Sequence, residues 1–264
     1  ISGTDPVYDS GLFAVNNGTI VGLGVVDVAI TGGLTTDQQV GALTGSNKGT
    51  IQRCWATGSI ATAALATGGL VGQMTTGIAT VPITLTDSFS RVDITNPTVS
   101  VNSHVGGLVG DVAAGFVRNS YATGIVDTNA TRNDWDFSGG LAGEIKSSAT
   151  AVNCFSTSLV DGGLDTKYHS GLAGQLGGSL TYAQTTAAKA VYNALSVSTF
   201  SDIRTGRALN TFKTSSYFTD TGSGWSSAYP WDFTAVWTIS ATANDGFPTL
   251  RAQRVGEPVN TEST

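Results

Sequence analysis

The chain has 264 residues, of which 40% are hydrophobic and only 12% charged, with 34 glycines, 6 prolines and a formal net charge of −6. Disordered chains combine low hydrophobicity with high charge, so this composition predicts an ordered protein. There is no lysine/arginine cluster of the kind a nucleic-acid groove requires. No apolar run nears the roughly 18 residues of a membrane-spanning helix, and the longest Gly/Val stretch, Ile20 to Ile30, is broken by Asp27. The chain opens at Ile1 without a basic-then-apolar leader, which suggests a processed or excised piece of something longer. Abundant Ser, Thr, Gly and Asn with an acidic balance suit an extracellular or cell-surface location.

Residues 1–10 offer no aromatic cover for an N-terminal face. From Gly11-Leu12-Phe13, a degenerate first copy, a glycine-bracketed leucine keeps returning. It recurs as Gly41-Ala42-Leu43-Thr44-Gly45, Gly69-Leu70-Val71-Gly72, Gly107-Leu108-Val109-Gly110, Gly140-Leu141-Ala142-Gly143 and Gly171-Leu172-Ala173-Gly174. From Leu12 to Leu43, and on to Leu70, Leu108, Leu141 and Leu172, the spacing is 31, 27, 38, 33 and 31 residues. A period of about 20–50 residues marks a stacked architecture that grows by addition. Within each period, glycine-bounded pieces of about 4–6 residues, rich in β-branched and aromatic side chains, predict strands. Three strands and three corners per lap predict an all-β, right-handed parallel β-helix of about six coils over residues 1–199. Leu43, Leu70, Leu108, Leu141 and Leu172 would form its internal file, about 4.8 Å apart.

Aligning the coils converts sequence into distance. Cys54 and Cys154 share a column with Ser88, Ser120 and Ala194, so the column takes small side chains. Three steps of about 4.8 Å separate the sulfurs by roughly 14 Å, whereas a disulfide needs Cα atoms within about 7 Å. Free packing thiols are expected. The adjacent column holds Trp55, Phe89, Tyr121, Phe155 and Leu195. It is an aromatic ladder that either stacks for stability or, facing outward, offers a sugar-stacking strip. Two positions on, Thr57, Arg91, Thr123, Thr157 and Val197 form an interrupted threonine array. Arg91 breaks the flat hydroxyl lattice that ice binding would need.

His104 and His169 precede the glycine-leucine turns of coils four and six, about 10 Å apart, too far to share a metal. With no carboxylate at ligand spacing beside them, both are expected to be solvated corner residues. Asp93, Asp111, Asp127, Asp134, Asp136 and Glu144 are scattered, without an aligned pair on adjacent coils outside the loops. Glycosidic hydrolysis needs two carboxylates about 5–10 Å apart; the expectation is therefore no catalytic residue, no metal and no cofactor. The most ligand-like segment is Asn133-Asp134-Trp135-Asp136-Phe137, in which Asp134 and Asp136 flank an indole able to stack a sugar ring. Tyr168, near Asp161 and Asp165, extends this candidate glycan contact.

After residue 200 the repeat disappears and aromatic residues concentrate: Phe212, Tyr217, Phe218, Trp225, Tyr229, Trp231, Phe233, Trp237 and Phe247. Solenoids need their ends covered, so residues 200–252 are expected to cap the last coil. Ser201 to Asn210 is expected to form one short helix, and residues 253–264 a linker or flexible tail.

The segments Gly107-Leu108-Val109-Gly110 … Asn119-Ser120-Tyr121-Ala122-Thr123-Gly124 and Gly41-Ala42-Leu43-Thr44-Gly45 … Cys54-Trp55-Ala56-Thr57-Gly58 resemble the GLUG repeat of bacterial surface proteins. The resemblance spans roughly residues 11–197. It extends to Trp231-Asp232-Phe233 … Val236-Trp237-Thr238-Ile239 … Gly246-Phe247-Pro248-Thr249-Leu250, similar to an element that often closes such arrays. Asp87-Ser88-Phe89-Ser90-Arg91 and Asn193-Ala194-Leu195-Ser196 depart from the Asn-Ser-Tyr-Ala-Thr pattern. The family implies large secreted or surface-anchored proteins, often adhesins, with the repeats as spacers or contact surfaces. The expected function is a non-catalytic extracellular structural or adhesive module, or part of a surface filament. Glycans, a host or neighbour-cell surface, and self-association through a β-helix end are the partners considered. The alternative is a carbohydrate-binding or carbohydrate-active β-helix using Asp134, Trp135 and Asp136.

Overall fold

In a computed structural model of the chain, residues 9–32, 38–77, 81–96, 103–128, 136–161, 169–195 and 198–251 are described. They form a β-solenoid in which parallel strands stack lap upon lap on three faces. The first face carries Gln39–Gly41, Ala66–Gly68, His104–Gly106, Phe137–Gly139 and His169–Ser170, so five laps are complete. A partial lap precedes them (Phe13–Asn16, Thr19–Val21 and Gly24–Gly32), and Val191–Ala194 with Thr199–Ser201 begins another after them. The expected six coils are these five plus the leading partial lap.

The leucine file is continuous. The Leu43 amide donates to the Leu70 carbonyl at 3.0 Å, Leu70 to Leu108 at 3.0 Å, Leu108 to Leu141 at 2.9 Å and Leu141 to Leu172 at 3.0 Å. All five side chains are buried, surrounded by Val, Ile and Ala from every lap. Leu12 of the first copy is instead exposed. It lies on the terminal lap, with no further lap stacked on it among the described residues.

The bracketing glycines follow from a tight fold-back around each leucine. A Cβ on Gly106 would lie 1.9 Å from the Val109 carbonyl oxygen, and one on Gly110 would lie 2.6 Å from the Thr67 nitrogen. The first face is thereby laid directly against the second. A further corner recurs in left-handed conformation at Arg53, Asp87, Asn119, Asn153 and Tyr182 (φ 46° to 53°). Asn and Asp tolerate that region best among non-glycine residues, which explains the asparagine opening the Asn-Ser-Tyr motif.

The uneven spacing also has a place in the fold. Links from the third face to the first run from Gly32 to Gln39, Thr62 to Ala66, Thr95 to His104, Asp127 to Phe137 and Asp161 to His169. The 27-residue lap contains the shortest of these. The 38-residue lap combines a long one with the extended Met74-to-Thr84 connection. Most strand pairs stay in register, with shifts between Val112 and Ala114 and between Val25 and Val28.

Register corrects the expected assignment of the sixth lap. Phe155 pairs with Gln184 and not with Leu195; the small residue following Cys154 is therefore Ala183 and not Ala194. Val191–Ala194 belongs to the next lap, paired with Ala173 to Leu176. The sixth lap is shorter between its leucine and its corner, so matching by motif overshoots.

Both cysteines are free and buried. The aromatic column is buried as well, but outside the coil. Trp55, Phe89, Tyr121 and Phe155 stack with centroids 6.5, 5.0 and 4.5 Å apart. They belong to a second hydrophobic cluster with Phe212, Phe218, Trp225, Trp231, Trp237, Phe247 and Leu250. Phe212 extends the ladder by stacking 4.7 Å from Phe155. The C-terminal segment thus lies along the flank of the solenoid and reaches back as far as the third lap, where Asp245 pairs with Arg91 at 2.5 Å. The Asn153 side chain bonds the backbone of Ser226 and Tyr229, and Asn119 that of Pro230. Tyr121 donates its hydroxyl to the Pro248 carbonyl. An element expected only over the last coil is a lateral strap, because its rings bury most surface against the ladder. The expected helix from Ser201 to Asn210 is absent: Thr199–Ser201 is a strand, and short helical turns form at Leu209–Lys213 and Ser215–Thr219. Strand pairing with Ser179–Thr181 outweighs the local helix propensity there.

Candidate functional site

Among the described residues, a close set of ionisable side chains lies outside the coil where the first face folds against the second. Asp111 stands on the strand Val109–Arg118, and Glu144 and Lys146 on its neighbour Ala142–Val152. In both strands alternation sends Val112 and Ile145 into the core and turns Asp111 and Glu144 the other way. Asp111 and Glu144 are direct partners across adjacent laps, with Gln73 below Asp111 and Gln175 above Glu144. His104 arrives from the first face because the fold-back at Gly106 and Gly107 lays its strand alongside.

The His104 Nε2 lies 3.1 Å from Glu144 Oε2, both side chains being 12% exposed, and its ring stacks on Phe137 at 5.7 Å and 7°. Lys146 Nζ donates to Asp111 Oδ2 at 2.7 Å and lies 3.6 Å from Glu144 Oε2. Gln73 Nε2 donates to the same Asp111 Oδ2 at 2.8 Å. The Asp111 side chain is 2% exposed, yet its other oxygen, Oδ1, is buried without a donor among the described residues. Burial alone would raise the Glu144 carboxyl. The hydrogen bond and charge of His104, with those of Lys146, outweigh burial and hold it below the usual carboxylate range. Burial likewise pulls the Lys146 ammonium down, but Asp111 and then Glu144 outweigh it and keep the ammonium above its ordinary value. His104, Asp111 and Glu144 each offer one ligand atom, all within 4.8 Å of one another.

Two expectations are overturned here. His104 is not a solvated corner residue without a carboxylate at ligand spacing, since Glu144 and Asp111 both stand there. An aligned acidic pair on adjacent coils does exist, in Asp111 with Glu144, and Asp127 with Asp161 is a second on the third face. His169 also falls one position out of the His104 column, opposite Ser138, while Phe137 pairs with His104. The available signal was the shared offset of Asp111 and Glu144, each three residues after its leucine.

The residues expected to contact glycans are not assembled by the described structure. Asp134, Trp135 and Tyr168 lie outside the described residues. Asp136 is buried, and its Oδ1 accepts from the Ser103 amide at 3.0 Å and the Ser103 hydroxyl at 2.9 Å, a structural bond between laps in place of a loop contact. A cleft of about 380 Å³ opens between the fifth and sixth laps, lined by Thr157, Leu159, His169, Ser170, Thr186 and Lys189. Among the described residues, no helix is long and apolar enough to cross a membrane. In comparisons with known proteins, no family model matches the chain, no curated protein matches it, and no solved structure matches it.

Proposed function

We propose that the chain is a non-catalytic structural or adhesive module of a bacterial cell surface or surface filament, a stiff rod that presents loops from one corner. One observation carries this. Most rungs keep their register from lap to lap, with single shifts at Val112/Ala114 and Val25/Val28, and the largest length differences gather in the links from the third face to the first and in the Met74-to-Thr84 connection. A largely constant frame with length differences concentrated in its connections suits a scaffold whose partners meet the loops. The low charge, the abundance of Ser, Thr, Gly and Asn in the sequence, and the resemblance to GLUG repeats support an extracellular reading of such a rod. The glycan reading retains only Asp134, Trp135 and Tyr168, because the Asp136 carboxylate is occupied by Ser103.

The test is surface labelling of intact cells that make the protein, using an antibody against the folded chain, beside incubation of the purified chain with a polysaccharide panel. Labelling without permeabilisation and no new reducing ends or unsaturated products are expected. Labelling only after permeabilisation, or cleavage of any polysaccharide, overturns the proposal.

A further inference from the structure

We infer that His104, Asp111 and Glu144 form a binding site for a divalent transition-metal ion of the zinc class, and that the Lys146 ammonium is the competing cation that closes it. Three observations converge. The three ligand atoms lie within 4.8 Å of one another, so that a side-chain adjustment of about half an ångström brings them to share one ion at ligand distances of about 2.0–2.2 Å. One imidazole with two carboxylates is a donor set for zinc-type ions, whereas calcium takes six to eight oxygens. Asp111 is the second, independent pointer. Its side chain is 2% exposed, Oδ2 receives both donors, and Oδ1 receives none among the described residues. A buried carboxylate oxygen without a donor is costly, and a cation at the cluster would relieve that deficit.

The surroundings suit exchange between the two cations. The His104 ring is held against Phe137, so one ligand is oriented in advance. Gln73 holds the Asp111 carboxylate from the lap below. Lys146 is the most exposed member, 40% against 2% and 12%, and its flexible stem allows the ammonium to swing into solvent. Three protein ligands leave a fourth tetrahedral position for water or for a donor from a partner molecule. On a surface rod, the second case would tether a neighbour through the ion.

The probe is Zn²⁺ alone, titrated calorimetrically into the full chain, with Co²⁺ absorption as the spectroscopic counterpart. One ion per chain is expected, bound at least tenfold more tightly by Lys146→Met, which removes the competitor, and at least tenfold more weakly by His104→Ala and by Glu144→Gln. Co²⁺ bound to Lys146→Met should give visible d–d bands that His104→Ala abolishes. Circular dichroism confirms that each variant is folded, and His169→Ala, outside the cluster, should bind as the parent does. Absence of binding in both the parent and Lys146→Met overturns the inference, as does binding indifferent to His104→Ala. The labelling and polysaccharide experiments do not depend on metal, so failure here leaves the scaffold proposal standing.

Discussion

The molecule has two hydrophobic regions built on opposite principles. Inside the coil, Leu43, Leu70, Leu108, Leu141 and Leu172 sit among Val, Ile and Ala, each lap repeating the last. On the flank, Trp55, Phe89, Tyr121 and Phe155 meet a single-copy strap whose rings come from Phe212 to Phe247. The first region is a sum of like neighbours, so damage to one lap stays with the laps beside it. The second ties the third lap to the sixth through one continuous segment, making those laps cooperative.

The sharpest break in that comparison pairs Tyr121→Ala with Leu108→Ala. Each should destabilise by about 3–5 kcal/mol, from lost burial plus the cavity. Hydrogen exchange should separate them: Tyr121→Ala should release protection over residues 209–251 together, whereas Leu108→Ala should release it in the laps around Leu70 and Leu141. Identical exchange patterns would show that strap and coil are one unit.

Next in size is Asn153→Ala. Asn153 is in left-handed conformation at φ 53° and fully buried, and it donates to the Ser226 and Tyr229 carbonyls while accepting from the Ser226 amide. Losing these should cost about 2–3 kcal/mol in a urea titration. Asn153→Gly, which keeps the backbone permissive, should cost less.

Cys154 probes the interior by pH. Burial pushes its thiol from 9.0 up to about 12. The folded state therefore holds a proton that the unfolded chain releases, and the resulting stability, full below pH 9, is lost as pH rises through about 12. By pH 10 about 1.4 kcal/mol should be gone, and Cys154→Ala should flatten that portion of the stability–pH curve. The smallest effect belongs to Arg91 with Asp245, whose side chains are 25% and 59% exposed. A double-mutant cycle should give less than about 1 kcal/mol, shrinking further in salt.

Repetition made the coil legible. Five glycine-bracketed leucines announce their own column, and the spacing that kept Cys54 from Cys154 followed from counting laps. Legibility failed where geometry departs from repetition. The sixth lap reaches its corner early, so Gln184 was hidden behind the more motif-like Leu195. The outward turn of the aromatic ladder depends on the left-handed residue at Asn119 and Asn153, which resets the alternation of side chains at a point where sequence shows only an asparagine. His104 and Glu144 are forty residues apart, and only the fold-back around Gly106 brings them together. The strap leaves no periodic signal, since its rings form a single-copy cluster in which each meets a different set of neighbours.

The flank segment also acts as a gauge of copy number. Its contacts run from Arg91 to Gln184, matched one to one with successive laps. A duplicated or deleted lap within that span would slide Asn153 or Tyr121 off its partner by a full rise of the stack. Upstream of Trp55 no such match is imposed among the described residues, and laps added there would leave every strap contact described above in place. Homologous arrays of differing length should accordingly have gained or lost their copies on the amino-terminal side.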